Sequence, residues 1–346
     1  MRILVYEWCC SGGLAGLDAG EDESLDRLHA EGLAMFLAVL RDARRDPRCE
    51  VTAVVDATRP LTLPAGVRSR SVPVGAELFT LTAEAATAET TILVAPETDG
   101  LLASRVAAVR RAGGDVLAAD AAFIEVAADK QATVVALAAA GVPVPAGRLL
   151  AAGAEWPTGF ARPAVRKPCD GAGGEELIVV PPAAVPPAPS ARDTRLEVLA
   201  AGLPVGVSCL CGPGGVVPLV PLRQRFAAGP GSPYVGGEPL ADPELARRAE
   251  ALAVRAVRAV ERVAGGRARG WVGVDMILGR TADGRSDRVL EVNPRLTTSF
   301  VGHAAGAATS LVRQLIDVAA GQDVRPASNP GAFQVVAHAC HPATTH

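Results

Sequence analysis

The first third of the chain alternates short apolar runs with longer amphipathic stretches. The apolar runs predict strands at residues 2–6, 51–55, 91–95 and 115–118. Between the first two runs, large apolar residues recur at helical spacing; they are Leu25, Leu28, Leu33, Phe36, Leu37 and Leu40. Residues 101–111 present a second helical face. Because strands that alternate with amphipathic helices form layered α/β units, we expect a doubly wound, mainly parallel sheet over residues 1–120.

The pattern changes near residue 120. A run rich in alanine and valine over residues 127–140 predicts a helix, which Gly141 and Pro143 end. Further strands are predicted at 165–168, 177–180, 205–211 and 216–222, and further helices at 243–263 and 310–319. These segments predict an α+β region, which we divide into residues 121–198 and 199–346.

Length and charge limit the classes of function. The chain has 346 residues, a length that predicts two or three compact units. Its seven cysteines are too few for a dense disulfide framework, and in a cytosolic protein they would stay reduced. Its net charge is -3 and it has no dense basic run, so no nucleic-acid partner is expected. The first apolar run is short and ends at Glu7, unlike a signal peptide or a membrane span. We expect a cytoplasmic protein with small-molecule substrates and no membrane partner; a homo-oligomer is compatible with the sequence.

Two apolar runs late in the chain end in side chains that carry oxygen. Asp275 follows residues 271–274, and Glu291 and Asn293 lie two residues apart in the second run. Side chains two apart on an extended strand project from the same face. Two carboxylates and an amide oxygen suit Mg²⁺, which keeps places in its shell for waters or substrate phosphates. The pattern therefore predicts ATP chemistry, whereas a lone carboxylate at a strand end would usually be a solvated surface group.

A lysine and a group of glycines follow another predicted strand. Lys167 ends the strand, and Gly171, Gly173 and Gly174 come shortly after it. Glycines let backbone amides approach phosphate oxygens, and an ammonium group offsets the charge that develops in phosphoryl transfer. The segment lacks the Gly-Lys-Ser/Thr of a P-loop, and an ordinary turn is the alternative. Lys130 offers a second cation, with a solvated helix face as its alternative.

These motifs follow one another in a fixed order. The order is Asp129-Lys130-x-x-Thr133, Lys167-Pro-x-Asp-Gly-x-Gly-Gly, residues 202–208, Gly-Val-Asp275 and Glu291-Val-Asn293-Pro-Arg295. Over residues 120–310 this set resembles the ATP-grasp superfamily. The resemblance implies an ATP-grasp fold behind an N-terminal Rossmann-like pre-ATP-grasp domain, with ATP held between two α+β subdomains.

The resemblance also implies a role for individual residues. The implied ATP-binding residues are Lys130, Lys167, Gly171, Gly173, Gly174 and the adenine-side hinge Glu197, Val198 and Leu199. The implied ligands of Mg²⁺ or Mn²⁺ are Asp275, Glu291 and Asn293. Arg295 would stabilise charge near the transferred phosphate. Many members carry a ribose-binding glutamate near residues 201–204, where this chain has none, so Glu197 is the candidate carboxylate for ribose.

A second set of motifs spans nearly the whole chain. It comprises Ile3-Leu4-Val5-Tyr6-Glu7, Ser11-Gly12-Gly13, Glu31-Gly32-Leu33-Ala34-Met35, Ala95-Pro96-Glu97-Thr98-Asp99, and Gln224 with Tyr234-x-Gly236-Gly237. This set resembles the tyramine-glutamate ligase group of methanofuran synthesis and its relatives in methanopterin-linked one-carbon pathways. The resemblance implies that a glutamate γ-carboxylate is activated as an acyl phosphate, which an amine then attacks to form an amide.

Candidate substrate contacts come from two parts of the chain. Arg223 and Arg225 flank Gln224 after the predicted strand 216–222, and either arginine can grip a carboxylate bidentately; we favour Arg223, which joins Lys167 and Arg295 as a catalytic candidate. Tyr234 lies in a Gly- and Pro-rich segment predicted as a loop over the substrate. Surface arginines and an ordinary mobile loop are the alternatives. The acceptor-pocket candidates, past the first strand where open α/β sheets bind ligands, are Glu7, Ser11, Gly12 and Gly13.

Three other functions compete with a glutamate-amine ligase. The ATP motifs do not separate it from a ligase that joins two amino acids. An ATP-binding sensor without turnover is supported by the missing ribose glutamate, but the full set of metal ligands argues against it. An NAD-binding Rossmann module is excluded, because the glycines at 12–13 lack the glycine spacing and the downstream acid of that fingerprint.

Overall fold

The computed structural model describes residues 1–15, 23–171, 177–228, 231–324, 326 and 328–335. In this part of the chain, three sheets define an N-terminal, a central and a C-terminal unit. The central sheet gives way to the C-terminal sheet between Val198 and Leu203. The division of the chain into domains stays a prediction. No helix in the described residues is both long and apolar enough to cross a membrane.

The N-terminal unit is a parallel sheet with helices on both faces. Its elements are β1 (Arg2–Glu7), α1 (Glu23–Ala43), β2 (Glu50–Asp56), β3 (Arg68–Val72), α2 (Glu77–Ala85), β4 (Thr90–Val94) and α3 (Leu101–Arg111). The strand order is β3-β2-β1-β4. Alternate residues of β1 enter different cores: Ile3 and Val5 pack with α1, and Leu4 and Tyr6 with α2 and α3. The predicted doubly wound α/β unit is thereby confirmed.

Two strand predictions in this unit need correction. Residues 115–118 form one isolated parallel bridge, between Thr91 and Val116, instead of a strand. The strand β3 was not predicted, because its sequence Arg-Ser-Arg-Ser-Val has a single apolar residue. Four of its five side chains are exposed at the edge of the sheet. Polar edge strands lack the apolar alternation that identifies a strand in a sequence.

The central unit is an antiparallel sheet preceded by two short helices. Its elements are α4 (Ala121–Ala128), α5 (Lys130–Ala139), β5 (Gly147–Leu150), β6 (Ala164–Pro168), β7 (Ile178–Val180) and β8 (Thr194–Val198), with strand order β5-β8-β6-β7. The prediction of one helix over 127–140 is wrong. Asp129 has an extended backbone and caps α5, its carboxylate accepting the Ala132 amide at 2.7 Å. The break lets the Lys130 amide donate to the Cys169 carbonyl at 2.8 Å.

The C-terminal unit is a larger antiparallel sheet with three helices. Its elements are β9 (Leu203–Gly212), β10 (Gly215–Pro218), β11 (Leu222–Phe226), β12 (Tyr234–Pro239), α6 (Pro243–Ala264), β13 (Gly270–Leu278), β14 (Arg288–Asn293), α7 (Phe300–Gly306), α8 (Leu311–Ala319) and β15 (Phe333–Gln334). The strand order is β14-β13-β9-β11-β12-β15, and β10 pairs with β9. The single strand predicted at 216–222 is two strands: β10 ends at Pro218, β11 begins at Leu222, and Pro221 lies in the segment between them. Proline has no amide hydrogen for the ladder, which explains the division.

Helix α1 connects the N-terminal unit to the C-terminal unit. The buried carboxylate of Asp42 accepts the Ser310 hydroxyl at 2.9 Å and the Val312 amide at 2.7 Å, at the start of α8. Arg45, one turn later, donates to the carbonyls of Ala307 and Ala308 after α7. A carboxylate at a helix N-terminus and a cation at a helix C-terminus complement the helix dipoles. The two side chains therefore fix α1 on both helices.

Replacing Asp42 should loosen this junction. In Asp42→Ala, the Val312 amide and the Ser310 hydroxyl lose a buried acceptor, and we expect the free energy of unfolding to fall by about 2–4 kcal/mol. Urea unfolding monitored by circular dichroism measures the change. Arg41→Ala, at the exposed neighbouring position of α1, is the control and should shift the midpoint little. Equal shifts in the two variants would contradict the proposed role of Asp42.

Candidate active site

A cavity of ≈ 430 Å³ lies between the central and C-terminal units, and α1 also contributes to its wall. Its lining includes many polar side chains; they are Arg27, Glu31, Lys130, Lys167, Ser208, Gln224, Ser232, Tyr234, Asp275, Glu291, Asn293, Arg295, Thr297, Thr298 and Ser299. The cavity thus brings together candidate residues that are more than 160 positions apart in the chain, from Lys130 to Arg295. Clefts with a few convergent polar groups are the usual place for small-molecule chemistry.

The three predicted metal ligands lie side by side on β13 and β14. Asp275 and Glu291 are directly paired across the two antiparallel strands, and Asn293 pairs with Gly273 two residues away. The Asn293 amide donates to Asp275 Oδ2 at 3.0 Å, and the Gln224 amide donates to Asp275 Oδ1 at 2.7 Å. Among the described residues, no group of three or more His, Cys, Asp or Glu is arranged so that it could hold a metal ion. Two carboxylates with an amide still fit Mg²⁺, since this ion commonly relies on one or two carboxylates plus substrate phosphates.

The charges of the two carboxylates are strongly coupled. Burial, followed by the Glu291 charge, raises the pKa of Asp275 to about 8. Burial also acts to raise the pKa of Glu291, but the ammonium groups of Lys130 and Lys167 outweigh it and the net shift is downward. Two adjacent carboxylates that are buried from water resist carrying two negative charges. A divalent cation would relieve that repulsion, so the donor set and its electrostatics both fit a metal.

Both candidate lysines reach the cavity. Lys167, on β6, lies 3.0 Å from Glu197 Oε2 and donates to the Leu290 carbonyl at 3.2 Å. Lys130, at the start of α5, donates to the Gly171 carbonyl at 2.5 Å and lies 3.7 Å from Glu291 Oε2. The Lys130 side chain is only 14% exposed, so it does not lie on a solvated helix face. The structure therefore brings Gly171 beside the two lysines, whereas Gly173 and Gly174 lie outside the described residues.

The adenine-side hinge candidates, Glu197, Val198 and Leu199, lie outside the cavity lining, next to the strand that carries Lys167. Glu197 is buried between two cations, with its carboxylate 3.0 Å from Lys167 Nζ and 2.6 Å from Arg195 Nε. Its neighbours Val198 and Leu199 donate their amides to the carbonyls of Ala146 and Pro163. Because Glu197 is occupied by two ion pairs, its geometry suits support of Lys167 better than contact with ribose. No local sequence pattern indicates this role, since the ion pair depends on the register of β6 against β8.

Arg295 enters the cavity from the segment after β14 and is held by the N-terminal unit. Its Nε donates to Glu97 Oε2 at 2.8 Å, and its Nη1 donates to the Leu296 carbonyl at 3.3 Å. Glu97 lies after β4 and is 4% exposed. Glu97 appeared in the sequence only as part of a longer motif, with no role assigned. The contact joins residues 198 positions apart, which no local pattern indicates.

The acceptor-pocket candidates divide into two groups. Glu7 lines a smaller cavity of ≈ 20 Å³, between the C-terminal ends of β1 and β4, which Glu31 and Arg295 also line. Ser11 is buried and donates to the Val54 carbonyl at 2.7 Å. Added Cβ atoms would meet Val72 at Gly12 and the Trp8 ring at Gly13. The structure therefore places Glu7 beside the active site, and it places the other three candidates within the packing of the N-terminal unit.

The substrate candidates on β11 and β12 face in opposite directions. Gln224 and Tyr234 line the large cavity. Arg223 is absent from the cavity lining, and its exposed guanidinium pairs with Glu238 at 3.2 Å. The alternation of side chains along β11 explains this, because Arg223 and Gln224 are neighbours on one strand. Tyr234 belongs to strand β12 instead of the predicted loop.

An aromatic pair in the cavity was not foreseen. Phe226 and Tyr234 lie edge to face with ring centroids 6.1 Å apart, and both line the cavity. Burial raises the pKa of the Tyr234 hydroxyl, so this group stays protonated and can donate a hydrogen bond. Phe226 and Tyr234 are adjacent partners in the pairing of β11 with β12. Their proximity required knowledge of that hairpin, which the sequence did not reveal.

Comparisons with known proteins give two family matches for the chain. A family model described as the ATP-grasp domain matches residues 127–299, which is half of the chain. A second model, the pre ATP-grasp 3 domain, matches residues 49–124. No curated protein sequence matches the chain.

Solved structures share the fold at low sequence identity. An ATP-grasp superfamily protein from Archaeoglobus fulgidus has 21% identity and a TM-score of 0.67, over 96% of this chain and 98% of its own. An L-amino acid ligase from Bacillus licheniformis has 14% identity and a TM-score of 0.63, over 92% of this chain and 73% of its own. A D-alanine–D-alanine ligase from Bacillus anthracis, solved with ATP, has 17% identity and a TM-score of 0.57, over 93% of this chain and 98% of its own. These similarities confirm the fold.

The buried carboxyl of Glu7 should make stability depend on pH. Burial raises the pKa of Glu7 from its ordinary value of 4.5 to about 7, so ionising this carboxyl group destabilises the folded state. Stability should therefore fall as pH rises from about 4.5 through 7, by about 3 kcal/mol from this group. In Glu7→Gln this contribution disappears, and the free energy of unfolding relative to wild type should increase between pH 5 and pH 8. Urea titrations at several pH values measure this, with the exposed Glu125→Gln as control; parallel curves for wild type and Glu7→Gln would refute the burial argument.

Proposed function

This chain belongs to the ATP-grasp family, and from that premise we propose that it is an ATP- and Mg²⁺-dependent ligase that joins the γ-carboxylate of glutamate to an aromatic amine such as tyramine. ATP-grasp ligases form carbon-nitrogen bonds between a carboxylate and an amine. One observation carries the proposal: Asp275, Glu291 and Asn293 line the same cavity as Lys130, Lys167 and Arg295. The resemblance to ligases of methanofuran and methanopterin-linked pathways supports a role in one-carbon cofactor biosynthesis.

The arrangement supports a two-step reaction. In the first step, a substrate carboxylate oxygen attacks the γ-phosphorus of ATP, the bond to ADP breaks, and an acyl phosphate forms. In the second step, the amine nitrogen attacks the acyl carbon, phosphate leaves, the nitrogen loses a proton, and an amide remains. Lys130 and Lys167 would hold the phosphates, and Arg295 would stabilise charge on the group in transfer. Asp275, Glu291 and Asn293 would hold Mg²⁺, which supplies charge neutralisation between the phosphates. The chain's contribution is mainly positioning, which can supply much of the rate.

The aromatic pair supports an aromatic substrate. Aromatic residues make up 3% of the chain, yet Phe226 and Tyr234 meet in the wall of the cavity. Leu222 adds an apolar surface beside them. Edge-to-face and stacked contacts favour a ring over an aliphatic chain of similar size. This wall therefore suits the ring of an amine such as tyramine.

A ligase that joins two amino acids is the second candidate. The structural similarity to an L-amino acid ligase and a D-alanine–D-alanine ligase favours it. An ATP-binding sensor is the third candidate, supported by the engagement of Glu197, the candidate carboxylate for ribose, in two ion pairs. The test is ADP release with ATP, Mg²⁺ and glutamate across a panel of amines and amino acids, with mass spectrometry of the products. A new amide of glutamate and tyramine supports the first candidate, a dipeptide the second, and nucleotide binding without release the third.

Removing the metal ligands should abolish turnover. In Asp275→Asn and Glu291→Gln, one negative charge is lost from the predicted Mg²⁺ site, and we expect kcat to fall by at least about 100-fold. The folded state should persist, because both changes keep the size and shape of the side chain. Mg²⁺-dependent ADP release measures the effect. Asp283→Asn, in the exposed turn between β13 and β14, is the matched control. Near-normal activity in either folded variant would refute the metal assignment.

Removing the Phe226 ring should weaken binding of the aromatic amine more than binding of ATP. In Phe226→Leu, the amine loses an aromatic contact worth about 1 kcal/mol, so its KM should rise roughly fivefold. The KM for ATP should change little, since the lysines are untouched. Steady-state kinetics with tyramine and with an aliphatic amine separate the two effects. Phe79→Leu, at a ring that is 77% exposed on α2, is the control. An equal rise in KM for both amines would exclude ring recognition by Phe226.

A further inference from the structure

The loop that joins β4 to α3, residues 95–100, contacts both walls of the active-site cavity; we name it the bridging loop. On one side, the Asp99 amide donates to Asp170 Oδ2 at 2.9 Å, one residue before Gly171. On the other side, Glu97 Oε2 accepts from Arg295 Nε at 2.8 Å. The bridging loop belongs to the N-terminal unit, whereas Asp170 and Arg295 follow strands of the central and C-terminal units. A single loop of one unit therefore sets the position of groups in both others.

The backbone of the bridging loop is held in an uncommon conformation. Asp99 has φ 53 and is followed by Gly100 with φ 67, so two successive residues are left-handed. In the described residues, Asp99 is the only residue other than glycine with a positive φ. Such conformations cost energy and cluster at functional sites. The turn is further fixed by the Leu102 amide, which donates to the Pro96 carbonyl at 3.0 Å.

The contact with Glu97 fixes the orientation of the Arg295 guanidinium. Glu97 accepts from Nε, at the inner edge of the group, and Leu296 accepts from Nη1. Because a guanidinium is planar and rigid, a partner at Nε defines the plane in which Nη2 lies. Arg295 lines the large cavity, and its side chain is 13% exposed. Glu97 and Leu296 thus hold Nε and Nη1, and neither of these contacts uses Nη2.

The geometry of Glu97 is poorly suited to a purely stabilising role. The residue is 4% exposed, and its Oε1 has no hydrogen-bond partner among the described residues. A buried ion pair gains little net stability, and an unsatisfied carboxylate oxygen costs some. A bidentate pair would have satisfied both oxygens, but it would have used an outer nitrogen of Arg295 as well. The observed single contact orients Arg295 but leaves Oε1 of Glu97 without a hydrogen bond among the described residues.

We propose that Glu97, supplied by the N-terminal unit, is a positioning residue that holds Arg295 in place for the transferred phosphate. The proposal rests on the proposed function, because it assumes that Arg295 acts on that phosphate. It assigns a catalytic contribution to a unit that does not itself carry the nucleotide residues. Glu97 acts through Arg295 and does not touch the substrate.

A double-mutant cycle tests whether Glu97 acts through Arg295. The four proteins are wild type, Glu97→Gln, Arg295→Lys and the double variant, all in the full chain. Glutamine keeps the shape and an acceptor but removes the charge, and lysine keeps the charge but lacks the rigid plane, so all four are expected to fold. In the wild-type background, Glu97→Gln should lower kcat about tenfold or more, with a change of less than about twofold in the KM for ATP. In the Arg295→Lys background, the same change should cost less than about twofold.

Another buried carboxylate-arginine pair, with both residues in the N-terminal unit, provides the matched control. Glu77 Oε2 lies 2.8 Å from Arg105 Nη2, and its side chain is 11% exposed. Neither residue lines the described cavities. Glu77→Gln should therefore lower the unfolding midpoint without a change in kcat. Equal losses of kcat in Glu77→Gln and Glu97→Gln, or additive effects in the cycle, would overturn the proposal.

Nucleotide binding separates this proposal from the proposed function. For each protein, calorimetry in the presence of Mg²⁺ gives the affinity for ADP and the affinity for the non-hydrolysable analogue AMP-PNP. The affinity for AMP-PNP divided by the affinity for ADP reports recognition of the third phosphate. We expect Glu97→Gln to lower this ratio about threefold or more in the wild-type background and to leave it unchanged with Arg295→Lys. If wild type turns over no substrate pair but shows this pattern, the ligase assignment fails and the positioning role of Glu97 stands. An unchanged ratio would reject the positioning role whatever the turnover.

Discussion

The packing of opposite charges into one partly buried cavity governs the rest of this structure. Asp275 and Glu291 lie paired on adjacent strands, and Lys130 lies 3.7 Å from Glu291. Each of these charges loses hydration when the units close around it, so each needs a partner of opposite sign. The partners of Lys167 and Arg295, which are Glu197 and Glu97, lie in the layer behind the cavity wall. Their burial keeps the cationic side chains extended toward the cavity.

The fold supplies this arrangement from three separate units. The central sheet brings Lys167 and Glu197 together on neighbouring strands, and the C-terminal sheet pairs Asp275 with Glu291. The N-terminal unit closes the site through α1 and the bridging loop. Asp42 and Arg45 hold α1 on the C-terminal unit. This contact also places Glu31, on the same helix, in the wall of the cavity. The chemistry of the site is therefore tied to contacts between the units.

Sequence patterns predicted the parts of the site that lie within one strand. Glu291 and Asn293 share a face because side chains alternate, and Lys167 ends a strand that its apolar residues identify. The doubly wound sheet followed from the same periodicity, except where the polar strand β3 carried no apolar signal. Positions set by pairing between distant segments did not follow from any local pattern. The side of β11 that faces the cavity is an example: the choice between Arg223 and Gln224 depends on how β11 pairs with β9 and β12.

The charge balance also implies that metal and nucleotide bind together. A triphosphate near Lys130 and Lys167 would lie beside Glu291, whose carboxylate is 3.7 Å from Lys130 Nζ, so without a cation it would meet like charge at short range. A cation at Asp275 and Glu291 without nucleotide would be opposed by the same lysines. Each ligand therefore offsets the repulsion that the other meets, and the coupling between their binding free energies is favourable in both directions. Burial strengthens this coupling, because the effective dielectric constant falls as water leaves the cavity. The cation pair and the carboxylate pair would thus favour joint binding of a nucleotide and its metal.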